Sequence, residues 1–104
     1  MIYAMVNVIL IPGKMSEFSE IFNKELVPIL SKNGPKMVAS FHGYTGNMNE
    51  INTLFVYDDL AAMQKVSETN RKDNAYQRVN AKLGAFLVSQ TRTILEPNPW
   101  SPMK

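Results

Sequence analysis

The sequence predicts an α+β domain of the ferredoxin-like kind, with element order βαββαβ and one antiparallel sheet. Three observations lead there. Strand-like stretches bounded by turn signals, the first rich in β-branched residues, give way twice to apolar residues at the helical spacing of 3.6. The 104 residues suffice for one domain and show no linker, repeat or low-complexity segment. Two strand–helix–strand units with right-handed crossovers each leave room for one strand, so the halves interleave into a single sheet.

Ile2 to Ile11 is rich in β-branched residues and stops at Pro12-Gly13, a turn signal, so it is the first strand. From Lys14 to Lys32 the period changes. Met15, Phe18, Ile21, Phe22, Leu26, Ile29 and Leu30 recur at helical spacing, and Asn33-Gly34-Pro35 ends the run. Pro28 has no amide hydrogen to donate, so this helix should kink or restart near Leu26. Lys36 to Thr45 reads as the second strand, Gly46 to Asn49 as a turn, and Glu50 to Tyr57 as the third strand. Asp58 and Asp59 stand where N-cap residues belong, before a helix carrying Leu60, Met63 and Ser67 on one face. The polar stretch Asn70 to Asp73 should break it. A further helix then places Tyr76, Val79, Leu83 and Phe86 on one stripe, and Leu87 to Leu95 is the last strand. Residues 96–104, with three prolines and Trp100, read as an extended arm.

The strands lack the alternation of a sheet covered on one side. Ile2, Ala4, Val6, Val8 and Leu10 share one face of the first strand, and Tyr3, Met5, Ile9 and Ile11 the other. In the third strand Ile51, Phe55 and Tyr57 oppose Leu54 and Val56. Helices cover one face only. A monomer rarely leaves such a patch in water, so the simplest cover is a second copy packed sheet to sheet about a two-fold axis. The alternative cover is the chain's own tail. Trp100 on that tail could anchor a neighbouring subunit.

Composition narrows the function classes. Charged residues are 19% of the chain, below the usual quarter, which suits a domain that hides surface in an interface. A net charge of +2 with no basic run leaves no electrostatic footprint for nucleic acid. Without cysteine, disulfides, thiol catalysis and cysteine-ligated metals are excluded, and one histidine leaves no ligand cluster, so neither metal nor cofactor is expected. No Gly-rich phosphate loop or Ser-His-Asp spacing can be placed. The apolar start is short, interrupted by Asn7 and without a basic leader, and no stretch reaches the roughly 18 residues of a membrane span, so a cytoplasmic location is expected.

The candidate catalytic residues are His42 and Tyr44. His42 is the sole histidine and the one side chain whose ordinary pKa lies near neutrality, fit for a general acid or base in a pocket between sheet and helices. Placed on the second strand, it shares a face with Ser40 and Tyr44. The competing reading is a histidine at an edge strand or in the dimer seam. Candidate ligand-binding residues are Asn7, Tyr57 and Arg92. Asn7, polar in a buried strand, must find a hydrogen bond and could bind a ligand or lock the dimer register. Tyr57 could position a substrate, although tyrosine bodies also fill cores. Arg92 is an anion anchor or an exposed edge charge. Arg71-Lys72 reads as a solvated helix break.

Several of these residues together form a family pattern. Pro12-Gly13-Lys14 with Phe18, Pro28, Tyr57-Asp58-Asp59-Leu60-Ala61, Asp73 with Tyr76, Lys82-Leu83, and the ending Leu95, Pro97, Trp100-Ser101-Pro102 resemble the NIPSNAP family over nearly the whole chain. The resemblance implies a dimeric α/β barrel. It implies no settled activity, since bacterial members mostly lack an assigned reaction. The wider superfamily holds cofactor-independent monooxygenases, haem-handling enzymes, isomerases and cyclases. The chain departs from the pattern at Thr53, where relatives often carry histidine, at Phe55 for tryptophan, at Val6 for arginine, and at Asp73-Asn74 for Asp-Pro. Two functions are therefore expected: a homodimer binding a small apolar ligand between sheet and helices, or a cofactor-independent monooxygenase or related enzyme acting on an aromatic or carbonyl compound through His42.

Overall fold

A computed structural model describes residues 1–104. Its elements are β1 (Ile2–Leu10), α1 (Met15–Ile21), a π-helical turn (Phe22–Leu26), α2 (Val27–Asn33), β2 (Lys36–His42), β3 (Glu50–Tyr57), α3 (Leu60–Lys72), α4 (Asn74–Gly84) and β4 (Leu87–Leu95). The four strands form one antiparallel sheet in the order β2-β3-β1-β4, the ferredoxin-like arrangement. No helix is long and apolar enough to cross a membrane.

Register divides the side chains between the two faces. Ala4 lies opposite Phe55, Val6 opposite Thr53 and Val8 opposite Ile51, and this row set meets the helices. The core joins Ala4, Val8, Leu10, Phe55 and Tyr57 of the sheet to Phe18, Leu26, Leu30, Val79 and Leu83 of the helical layer. Met15, Met37 and Met63 pack against it as half-buried fillers. Tyr3, Met5, Asn7 and Ile9, paired with Val56, Leu54, Asn52 and Glu50, face the other way. No helix covers them.

Pro28 shapes the first helical run as its chemistry requires. In an unbroken α-helix its ring would press on the carbonyl of Lys24. The backbone instead widens by one residue, with the Val27 N–H donating to the Phe22 carbonyl across a π turn, and α2 restarts with Pro28 in its first turn. The expected kink near Leu26 is thus a π turn. The α3–α4 break is sharper than a four-residue loop, because Asp73 alone separates the helices. Its Oδ1 accepts the backbone N–H groups of Ala75 and Tyr76, capping α4. Asp59 does the same for α3, accepting from Ala62 N at 2.7 Å.

Two glycines are dictated by space. Gly34 ends α2 at φ 87°, and a Cβ there would also lie 3.1 Å from Val66 Cγ2. At Gly43 an added Cβ would collide with the backbone oxygen of Asn47. That tight approach explains why β2 ends at His42 rather than running to Thr45.

Candidate functional site: a cavity between sheet and helices

The helical layer does not seal the inner face of the sheet. Between them lies a cavity of about 420 Å³, within the roughly 300–1,000 Å³ range of small-molecule sites. Its interior is mainly apolar, with the buried Thr53 and Asn70 also in the lining. Ala4, Val8 and Phe55 form the sheet side, and Phe18, Phe22, Leu26, Leu30 and Leu83 the helix side. Phe22 and Leu26 bracket the π turn, so the widened backbone helps set the wall.

The rim has another chemistry. Arg71 near the end of α3, Gln77 and Asn80 on α4, and Gln90 and Arg92 on β4 line the cavity and are solvent-exposed. Arg92 lies opposite Val6, and Val6 opposite Thr53, so it belongs to the helix-facing rows. β4 is an edge strand, and its exposure lets a guanidinium stand on the inner side of the sheet.

A polar network fixes this corner. Asn33 Nδ2 donates to Asn70 Oδ1 at 3.1 Å and to Asp73 Oδ2 at 2.8 Å, and Asn70 Nδ2 donates to the Gly34 carbonyl at 3.2 Å. Asn70 is 5% exposed, and with these partners it carries no unsatisfied polar atom. Gln77 Nε2 donates to the Arg71 carbonyl at 2.8 Å, which ties the start of α4 to the end of α3. The Asn33 hydrogen bond, followed by the Tyr76 amide, holds the Asp73 carboxyl below the usual carboxylate range. Burial raises the pKa of both Tyr57 and Tyr76, and the positive charge of Arg92 partly opposes it in each. Both phenols are therefore neutral at pH 7, and Arg92 is electrostatically close to both.

Of the five candidate residues, the structure brings Tyr57 and Arg92 together in this cavity. Asn7 lies on the opposite face, where its Nδ2 donates to Glu50 Oε2 and Asn52 Oδ1, both at 2.8 Å. His42 stands at the end of the edge strand β2, exposed, and lines a separate cleft of about 140 Å³ with Met15, Ser19 and Phe41. Phe18, Phe22, Ile51 and Thr53 line both cavities and form the partition between them. Ser40 shares the inner face of β2 with His42 and is engaged by Thr53, with 2.9 Å between hydroxyls. Tyr44 does not share that face. It lies beyond the strand in the loop, 91% exposed. No three His, Asp or Glu side chains gather where they could hold a metal ion.

Sequence reasoning missed Arg71, which it placed in a solvated break, and the amides of Gln77 and Asn80. Their signal was present: positions 77 and 80 flank the Tyr76–Val79–Leu83 stripe at helical spacing, so they border the apolar face.

Comparison with known proteins agrees with the fold. The NIPSNAP family's sequence model matches residues 7–102. Among solved structures, an uncharacterized NIPSNAP domain protein from Burkholderia xenovorans superposes with a TM-score of 0.91 at 22% identity, covering 98% of this chain and 99% of its own. A NIPSNAP family protein from Agrobacterium tumefaciens gives 0.93 at 19% identity, with 99% and 98% covered. A putative antibiotic biosynthesis monooxygenase from Nitrosomonas europaea shares the fold more distantly, at 0.72 and 10% identity over 93% and 98% of the two chains. No curated protein matches the sequence.

Proposed function

Since this chain belongs to the NIPSNAP family, several of whose members among its structural neighbours are uncharacterized or of unknown function, we propose from its own geometry that it binds a small, largely apolar ligand between sheet and helices, as a homodimer joined through the outer faces of its sheets. One observation carries the binding reading: a cavity of about 420 Å³ with a mainly apolar interior and a polar, charged mouth. Apolar walls favour a ligand by removing its surface from water, and a few polar groups at the mouth orient it.

The neutral fluorescent amine N-phenyl-1-naphthylamine tests this directly. It should bind one molecule per subunit with enhanced emission. Gly84 borders the cavity, and a Cβ there meets nothing within 4 Å, so Gly84→Phe adds bulk at the wall without a backbone clash. That variant should keep its circular dichroism and lose the probe at least tenfold. Unchanged binding to Gly84→Phe, or no binding to the parent protein, would overturn the reading.

The dimer reading rests on the outer face. Met5, Ile9, Leu54 and Val56 are half-buried there, and Phe41 and Leu95 are 64% and 41% exposed. Sedimentation at micromolar concentration should give the mass of two chains, and Leu54→Lys should give one. A parent protein that sediments as single chains contradicts it.

A second reading, a cofactor-independent monooxygenase, is supported by the distant fold likeness and by His42 in its own cleft. Oxygen uptake on a panel of phenolic compounds, abolished by His42→Ala, would support it. Uptake that survives the substitution would not.

A further inference from the structure

We propose that the ligand of this cavity is an organic acid, an apolar body carrying an anionic headgroup that the guanidinium groups of Arg71 and Arg92 receive at the mouth. The proposal rests on the cavity reading above and adds the class of ligand.

The cavity's lining contains two arginines and no aspartate, glutamate, lysine or histidine. The mouth therefore carries two positive charges at neutral pH with no internal counter-charge. The salt bridges of the chain are Lys14–Glu17, Lys24–Glu20 and Lys82–Glu25, and none involves an arginine. Both guanidiniums keep their planar donor forks free, a geometry that matches carboxylate, sulfonate or phosphate oxygens two at a time.

The place of Arg92 is the second argument. The helix-facing row of a ferredoxin-like sheet is normally apolar, and Val6 and Phe55 conform. β4 instead presents Gln90 and Arg92 on that side, opposite Val8 and Val6. A charge on the inner row brings no packing benefit, but it faces whatever enters the cavity. Arg71 reaches the same mouth from the end of α3, directly after the hydrogen-bonded Asn70 and with its own backbone carbonyl bound by Gln77 Nε2. Uncharged amides of Gln77 and Gln90 complete the rim and can donate to the same headgroup.

The test uses two dyes of nearly the same shape, 8-anilinonaphthalene-1-sulfonate and the neutral N-phenyl-1-naphthylamine. The sulfonate should bind at least tenfold more tightly, about 1.4 kcal/mol. Arg92→Gln and Arg71→Gln should each weaken the sulfonate about tenfold and leave the neutral dye within twofold. Lys82→Gln, outside the cavity, should alter neither. Decanoate should displace the sulfonate, and decanol should compete at least tenfold less well. Equal affinity for the two dyes, or a sulfonate indifferent to both arginines or to Gly84→Phe, overturns the proposal while the cavity reading stands on the neutral dye. Failure of the neutral dye as well removes both.

Discussion

The two faces of the sheet solve the same problem in different ways. On the inner face, apolar rows from β1 and β3 meet helices, and Ala4, Val8 and Phe55 are each no more than 8% exposed. What remains open is local, a cavity with charge confined to its rim. The outer face has no helix over it: Tyr3 is buried there at 8% exposed, but Met5, Ile9, Leu54 and Val56 are only half-buried. Its apolar residues shield one another only in part, and a polar trio, Asn7, Glu50 and Asn52, interrupts them. The difference shows that burial from within an element and burial by a second layer are separable. Adjacent strands half-cover Leu54 and Val56, but only another layer can dry them. Covering each further contributes about half the full side-chain value, or ~0.8–1.5 kcal/mol.

Neighbouring residues in β3 give the strongest test of that contrast. Phe55→Ala opens the inner core and should cost about 3–5 kcal/mol in denaturant unfolding. Leu54→Ala on the outer side should cost about 1 kcal/mol in dilute protein. Its effect should grow as concentration rises, because association stabilises only the folded subunit. If the Leu54→Ala cost is the same at every concentration, the outer face meets no second copy. If Phe55→Ala costs under 1 kcal/mol, the inner face is not the better packed one.

A buried amide comes next. Asn70→Ala removes the donor to the Gly34 carbonyl and the acceptor for Asn33, and leaving such groups unpaired costs about 1–3 kcal/mol. Unfolding should show that loss, and affinity for the anionic dye should fall too if the network holds Arg71 at the mouth. A stability loss with unchanged affinity would separate the corner from the site. On the outer face the counterpart is Asn7→Ala. Its two partners, Glu50 and Asn52, can turn to water in the free subunit, so the cost should be ~0.5–1.5 kcal/mol. A larger loss would mean that the trio is less accessible than the open face implies.

How much of this was legible in the sequence follows from which forces are local. The division of β1 and β3 into two faces depends only on the period of two, and Ala4, Phe55, Leu54 and Met5 fall where alternation puts them. The NIPSNAP pattern was legible for a similar reason, being carried by turns and caps such as Pro12-Gly13 and Asp59. The end of β2 was not, since it depends on Gly43 meeting Asn47 across a turn. Val38 also goes unpaired at a register shift between Met37 and Ala39. For the site, Tyr57 and Arg92 were nameable as polar or amphipathic residues in buried strands. Arg71 was not, because a cation near a helix C-terminus is explained well enough by the helix dipole. Only the tertiary placement of the α3–α4 corner over the sheet makes it a lining residue. Tyr44 was grouped with His42 by extending the strand period past the point where the strand ends.

The smallest effect concerns pH, and it bears on the corner alone. Hydrogen bonds from Asn33, then from the Tyr76 amide, lower the pKa of Asp73. An unfolded aspartate titrates near 3.9, so between that value and the lower folded one the unfolded chain binds the proton and the folded chain does not. Stability from this group is therefore fully present above about pH 4 and is lost as pH falls through the folded pKa. Asp73→Asn keeps a capping oxygen for α4 but has no charge to titrate. The parent protein should lose stability more steeply than Asp73→Asn on acidification below about pH 4, and the two curves should run parallel above about pH 6. Parallel curves throughout would mean that the Asn33 hydrogen bond does not discriminate between the carboxylate and its protonated form.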